Sequence, residues 1–437
     1  MWTPGDVDGG QTLTDNDHVY PVHINELRQS ILATADELRQ SILAAALATA
    51  VVGRTPHCQY YCDGTDDDVQ IQEAIDYVSS LGGGTVWIKE GVYDISTAII
   101  LASNVTIAGC GSNTILKTSK AVNVFFSGVG VDNYKVSDLY LDGDNVGLSG
   151  IRCEATSSNV NVSGVYAKNF TEYGILLSRI TKFRIFNCEC SDNITGATEG
   201  RGIYLALSDD VVVRDCTTNG NKRYGIMLHT MTNTRIINCT ANNNTGDRGI
   251  FAFKGSNIII DGCTANENNF AGITTESDNS KIINCTADDN TTDGILIRTN
   301  SDAHIYKVYI SGNTCRGNGR DGIRGDAGTT TNIYDVHIVN NKVSNNVNGI
   351  EIRDYIYDAI IAGNQVNENT SRGIYVTENI SRFLINNNVI YGTNDGDTGI
   401  RYGGTYVKVA DNVITNCATP SVDIGTNNSF DNVWDKT

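Results

Sequence analysis

Proline is scarce in this chain, at 4 of 437 residues against 44 glycines. That excludes a collagen-like or proline-rich disordered polymer. Cations are also short: 32 Lys and Arg face 50 Asp and Glu, for a net charge of −18. Nucleic acid is thereby disfavoured as a partner, because phosphate binding draws on an excess of Lys and Arg. The longest apolar run, Ile42 to Val52, falls short of the about 20 residues that cross a bilayer, so no membrane insertion is expected. The opening MWTPGDVDGG has neither the basic stretch nor the apolar core of a secretion signal. The expectation is a soluble protein that leaves the cell by another route or is already processed.

What is present is a repeat. A Gly-Ile pair recurs eleven times, with the isoleucines at Ile151, Ile175, Ile203, Ile226, Ile250, Ile273, Ile295, Ile323, Ile350, Ile374 and Ile400, at intervals of 22 to 28 residues. A period of this size means a solenoid, in which stacked neighbours bury the core that no single unit can bury alone. The apolar runs are short, β-branched and of period two, as in GILIR (294–298) and VVVRDC (211–216). Gly, Asn and Asp punctuate them, and helical periodicity is missing. The fold class is therefore all-β, a single-stranded right-handed parallel β-helix, with like positions stacked about 4.8 Å apart.

A second signal follows most of these glycines: an apolar residue and, three positions on, Cys or Asn. This gives a column of Cys188, Cys216, Cys239, Cys263 and Cys285, continued by Asn313, Asn341, Asn364, Asn388 and Asn412. Five positions further stands a second column, Asn193, Asn221, Asn244, Asn268, Asn290, Asn318, Asn346 and Asn369. A stacked Asn amide accepts from one coil and donates to the other, so these read as buried structural ladders. The cysteine column reads as free thiols, because parallel side-chain vectors fit a disulfide torsion poorly. Cys58 and Cys62, beside His57, leave open a local disulfide or a partial metal site.

Taken in order, residues 1–22 read as an irregular arm. Residues 23–52 read as an N-terminal helical stalk. Within it ELRQSILA (26–33) recurs at 37–44. That 11-residue period suits a straight or slightly right-handed coiled coil, expected to hold a homotrimer, against the plainer reading of one amphipathic helix. Residues 53–65 read as a linker and 66–417 as the β-helix, opened by a short capping helix over 67–80. Asp66 to Asp68 are placed to cap that helix. Residues 418–437 read as a cap over the open end, where an uncovered sheet edge invites aggregation. Asp142 and Asp144 in LYLDGDN admit calcium, though Asp-Gly-Asp is also a plain turn. No other cofactor is expected.

One stretch resembles a known family. Asp63, Gly64 and Asp66, then Gln72, Ala74 and Ile75, Gly82 to Val86, Gly91, Tyr93, and Asn104 to Thr114 are similar to the opening of pectate-lyase-like right-handed β-helix proteins. That superfamily includes polysaccharide lyases, glycoside hydrolases, uronan epimerases and phage tailspikes. The resemblance covers about residues 63–417 and implies the fold, with the helix plugging the first coil. It does not fix the chemistry. The N-T-D, G-H-G and R-I-K sets of the polygalacturonase branch are absent, as is the D-P-H-E signature of the uronan epimerases.

Strand side chains alternate, so the residues flanking each inward Ile point outward. The middle coils then offer a band of Tyr173, Tyr204, Tyr224, Phe251 and Phe253. Arg201, Arg223 and Arg248 flank it, with His229, Asp247, Glu276 and Asp293 close by. As a saccharide groove, the aromatic faces and arginines would bind an acidic sugar, and Asp247, Glu276 and Asp293 would supply acid–base chemistry. As a subunit interface, the same band would be buried by another copy. The expectation is an extracellular or virion-associated tailspike-like protein that binds, and in one form cleaves, a cell-surface polysaccharide. A free lyase or hydrolase and a non-catalytic surface or filament protein are the alternatives.

Overall fold

In the computed structural model the structure describes residues 49–194, 199–299, 303–328, 330–392, 397–425 and 428–435. The arm and nearly all of the expected stalk lie outside them. Residues 50–52 do not. Ala50–Gly53 is a strand, paired in parallel with Gly84–Ile88, so the solenoid begins inside the segment assigned to the stalk. The β-branched Val51 and Val52 suit that role, and Val52 is fully buried. The expected linker also carries a strand, Tyr60–Tyr61, which pairs with Ala50–Gly53.

The helix spans Asp68–Ser80 and buries Ile71, Ala74, Ile75 and Val78 in the same core as the first coils. The aspartates before it do not cap it with their side chains. Asp67 instead accepts from the Gly64 and Asp94 amides at 2.8 and 2.9 Å. Asp68 accepts from the Ser96 amide at 2.8 Å and the Thr97 hydroxyl at 2.5 Å. Both are buried, and buried carboxylates persist where they are hydrogen-bonded; here they pin the helix to the second coil.

About 14 coils follow, each contributing parallel strands to up to three sheets. The first sheet carries the Gly-Ile pairs: Ile203–Ile226–Ile250–Ile273–Ile295–Ile323 stand in register through six consecutive coils, all fully buried. Each such residue contributes about 1.5–3 kcal/mol on burial. The glycine beside it is required by close approach. A Cβ on Gly225 would sit 2.7 Å from the Gly249 carbonyl oxygen of the next coil. The second sheet stacks Val213, Ile236, Ile260, Ile282 and Ile310.

The corner between the second and third sheets explains the punctuation. Asn187, Asp215, Asn238, Asn284, Asn340, Asn387 and Asp411 adopt φ of 49–56°, and Gly262, Gly312 and Gly363 take the same place at 63–67°. Only Gly, Asn and Asp enter this left-handed region at low cost. The Cys and Asn columns lie just past that corner. All twelve cysteines are free thiols, Cys58 and Cys62 included. In the column, each Sγ donates to main-chain carbonyls, as Cys239 does to Ile237 at 3.3 Å. In the Asn column, Asn290 Nδ2 donates to Asn318 Oδ1 and Asn318 Nδ2 to Asn346 Oδ1, both at 3.0 Å.

The C-terminal segment continues the solenoid where a cap was expected. Thr419–Asp423 pairs with Thr398–Tyr402, and Ser429–Asp435 with Thr405–Thr415. The isoleucine column ends there, with Ser421 opposite Ile400. Near the other end, Asp142 Oδ1 accepts from the Asp144 amide at 3.0 Å, and Asp144 pairs with Lys117 at 2.9 Å, which is the turn arrangement. Among the described residues no group of three or more His, Cys, Asp or Glu is placed to hold a metal. No helix among them is long and apolar enough to cross a membrane.

Candidate functional site

The outward side of the first sheet carries three columns. The residue before each Gly gives Tyr173, Arg201, Tyr224, Arg248, Ala271, Asp293 and Asp321. The residue after each Ile gives Leu176, Tyr204, Met227, Phe251, Thr274, Leu296, Arg324 and Glu351. Two further on stand Ala206, His229, Phe253 and Glu276 in register. Many of these outward side chains are nevertheless buried, including Tyr224, Met227, Phe251, Thr274, Arg324 and Glu351. Tall neighbours therefore cover the floor of this face.

The upper coils bring the predicted aromatic residues together. Tyr224, Met227 and Phe251 form a cluster separate from the main core, with Tyr204 and Phe253 packed on it. Tyr173 and Tyr204 stack at 5.4 Å between centroids. Phe253 lies 5.6 Å from Phe251 and 5.2 Å from His229. Guanidinium groups are laced through the rings. Arg201 sits 5.0 Å from the Tyr204 centroid and 5.6 Å from that of Tyr224. Arg223 lies 5.0 Å from Tyr224, and Arg248 4.4 Å from Phe251. Each such contact contributes about 0.5–2 kcal/mol, more when desolvated. Arg201 also donates to the Tyr173 hydroxyl at 3.0 Å and pairs with Glu199, while its buried Nε has no acceptor.

His229 and Tyr204 form a polar pair, with the phenol oxygen 2.9 Å from Nδ1. Burial, then Lys254 and Arg201, hold His229 below its ordinary value, so the imidazole is neutral at pH 7. Burial pushes the Tyr204 phenol up, opposed by Arg201.

The three predicted carboxylates have different surroundings. Asp247 pairs with Arg248 at 2.7 Å, and its proximity helps raise Tyr224, after burial. Asp293 is fully buried and held by both Arg320 Nε and Nη2, at 2.9 and 2.5 Å. Glu276 stands opposite Phe253, 5% exposed, with Arg298 at 3.3 Å and its Oε2 buried without a donor. Burial raises its carboxyl against the pull of Arg298 and Arg248. The surroundings of Glu276 thus favour its protonated form.

Sequence reasoning passed over a second set of charges on the lower coils. Asp321 and Glu351 lie within hydrogen-bonding reach of each other on consecutive coils, among Arg320, Arg324 and Arg353. Both residues stand in the columns above. Their contact runs diagonally between columns, so no single column displays it.

Two family models match the chain. One, described as a right handed beta helix region, covers residues 201–354, and one described as rhamnogalacturonase A/epimerase, pectate lyase-like, covers 62–274. Mannuronan C5-epimerase AlgE3 of Azotobacter vinelandii is 25% identical over 244 residues, which is 48% of this chain and 13% of the relative. Alginate lyase 7 of the same organism is 32% identical over 136 residues, 26% of this chain and 15% of the relative. The chain therefore spans only a small part of the curated relatives it matches. Among solved structures, the A-module of Azotobacter vinelandii mannuronan C-5 epimerase AlgE4 has a TM-score of 0.52 at 18% identity, covering 87% of this chain and 99% of that one. The catalytic unit of a GH87 alpha-1,3-glucanase from Streptomyces thermodiastaticus has 0.57 at 16%, covering 89% and 69%. ORF18 of Geobacillus virus E2 has 0.52 at 19%, covering 70% and 62%. Likenesses at these identities show a shared fold.

Proposed function

We propose that this chain, which belongs by fold to the pectate-lyase-like right-handed β-helix proteins, binds an acidic polysaccharide along the Gly-Ile face as a receptor-binding spike does. The observation that carries this reading is the aromatic band interleaved with Arg201, Arg223 and Arg248. Ring faces pack on the apolar faces of sugars, and guanidinium groups select carboxylates by paired hydrogen bonds. The names of the curated relatives support an acidic polymer, since they specify mannuronan and alginate. Three copies joined through the 11-residue repeat of residues 26–44 complete the spike reading, and sedimentation equilibrium gives the count.

The test is binding to a panel of acidic and neutral polysaccharides, with Arg248→Ala and Tyr204→Ala alongside. Binding to uronate polymers that both substitutions weaken supports the reading. Binding to neutral glycans only, or binding that neither substitution changes, refutes it.

A second reading rests on the Tyr204–His229 contact. A neutral imidazole beside a phenol, with Arg201 near to neutralise a sugar carboxylate, has the parts for removing the proton next to that carboxylate. Hydrolysis has less support, since Asp247 and Asp293 are each bound to a guanidinium. Absorbance from an unsaturated uronate, lost in Tyr204→Phe and His229→Gln, would identify the lyase.

A further inference from the structure

Below the aromatic band, Asp321 and Glu351 lie on neighbouring strands of the same face. Asp321 stands opposite Asn348, and Glu351 opposite Arg324, on consecutive coils. Both carboxyls are buried, at 0% and 1% exposure. One oxygen of each is satisfied. Asp321 Oδ1 accepts from Asn348 Nδ2 at 2.8 Å, and Glu351 Oε1 from Arg353 Nε at 3.0 Å. The other oxygens, Asp321 Oδ2 and Glu351 Oε2, are buried and have no hydrogen-bond donor. The cations nearest Oδ2 stand off, Arg320 Nε at 3.4 Å and Arg324 Nη1 at 3.8 Å. The two carboxyls are nevertheless within hydrogen-bonding reach of each other. Two buried anionic oxygens in such contact are costly, and one proton between them satisfies both.

We propose that Asp321 and Glu351 share a single proton in the folded protein, and that its release as pH rises destabilises the floor of this face. The surrounding charges fit. Asp293, Asp321, Asp326 and Glu351 bring four negative charges, and Arg320, Arg324 and Arg353 bring three positive ones. Three minus four leaves −1, which the shared proton cancels. On the coil before, Arg298 lies opposite Asp326 and pairs with Glu276 of the coil before that. On the coil after, Arg372 reaches Asn348 rather than either carboxyl, and Tyr375 lies opposite Glu351. Burial first, then Glu351, push Asp321 up to about 8. Glu351, despite its own burial, is held below its ordinary value by the bond from Asp321 and by Arg353. The two opposite directions describe one proton that belongs to the pair.

The sign follows. The unfolded chain releases this proton near pH 4, and the folded chain holds it to about pH 8. Its contribution to stability is full below the lower value and is lost as pH rises through the upper one.

The experiment follows the carboxylic-acid carbonyl stretch of the intact protein by infrared difference spectroscopy from pH 5 to 10. Urea unfolding is measured over the same range for the wild type, Asp321→Asn and Glu351→Gln. No glycan is involved, so the outcome is independent of the binding reading. The expected result is an acid band at pH 6.5 that vanishes around pH 8. The wild-type urea midpoint falls over that window, while the variants, whose amides donate permanently, stay level. A wild type without the band overturns the proposal even if neither variant folds. So do three midpoints that run parallel from pH 6 to 9.

Discussion

Replacing Asn318 by alanine tests whether the asparagine column carries the solenoid's stability. The Asn318 side chain makes four hydrogen bonds, all in the buried interior. It accepts from the Asn290 amide and from Asn290 Nδ2, and it donates to the Ala287 carbonyl and to Asn346 Oδ1, all at 3.0 Å. Two of those partners keep another bond. Asn290 Nδ2 still donates to the Ala265 carbonyl, and Asn346 Oδ1 still accepts from the Asn318 amide. The Asn290 amide and the Ala287 carbonyl lose the bond that Asn318 supplied. Each buried group left unsatisfied costs about 1–3 kcal/mol, and a water entering the vacated space recovers part of it. The expected loss is about 3 kcal/mol, read from the urea midpoint, together with faster hydrogen exchange at the Asn290 amide. Asn242→Ala is the control. Its oxygen accepts from the Asn266 amide at 2.8 Å, but the side chain is half-buried, so solvent replaces it and the cost is at most about 1 kcal/mol. Equal losses in the two variants, or an Asn290 amide still protected in Asn318→Ala, would refute the reasoning.

Other residues give sharper local outcomes. Gly225→Ala places a Cβ 2.7 Å from the Gly249 carbonyl oxygen and 2.8 Å from the Ala241 Cβ, so a cost of about 1–3 kcal/mol in urea unfolding is expected. Arg248→Ala removes the guanidinium over Phe251 and the partner of Asp247. On the acidic-glycan reading, affinity falls about 10- to 100-fold, measured by calorimetry at fixed salt. The His229 imidazole is held below its ordinary value by burial, Lys254 and Arg201, so its NMR titration midpoint lies lower than that of a free histidine. Lys254→Gln moves that midpoint up, because a repelling charge is gone.

Much of the solenoid is written in the sequence because its constraints repeat. A Gly is needed wherever two coils approach too closely for a Cβ, as at Gly225. An Asn, Asp or Gly is needed wherever the corner takes positive φ, as at Asn238 and Gly262. The same demand at each coil gives a column, and a column survives changes in loop length. The ends are less legible because they interrupt the repeat. Val51 and Val52 continue an alanine-rich run and so read as helix, yet their pairing partners Trp87 and Ile88 lie more than thirty residues on. Asp67 and Asp68 have the spacing of helix caps, and their actual donors, the Asp94 and Ser96 amides, are set by the second coil.

The candidate site divides along the same line. Its aromatic half follows from alternation alone, which sends Tyr204, Phe251 and Phe253 outward from strands whose inward residue is already fixed. Its charged half depends on which guanidinium reaches which carboxylate, and those reaches cross columns. Arg320 illustrates the difference. It stands one position before Asp321 in sequence but takes Asp293 of the preceding coil in both its bonds, so Asp293 is a held anion. Oδ2 of Asp321 is left with Arg320 at 3.4 Å, Arg324 at 3.8 Å and a carboxyl neighbour in Glu351. A list of columns shows an acidic residue at both places and gives no sign that one is a carboxylate and the other half of a proton-sharing pair. Arg320→Ala separates the two cases. Removing the guanidinium leaves Asp293 as a buried unpaired anion and takes away a positive charge beside Asp321, so the carboxylic-acid band should persist to higher pH than in the wild type. A band unchanged in its pH dependence would mean that Arg320 has no part in setting the shared proton, and that the charge balance drawn around the pair is wrong.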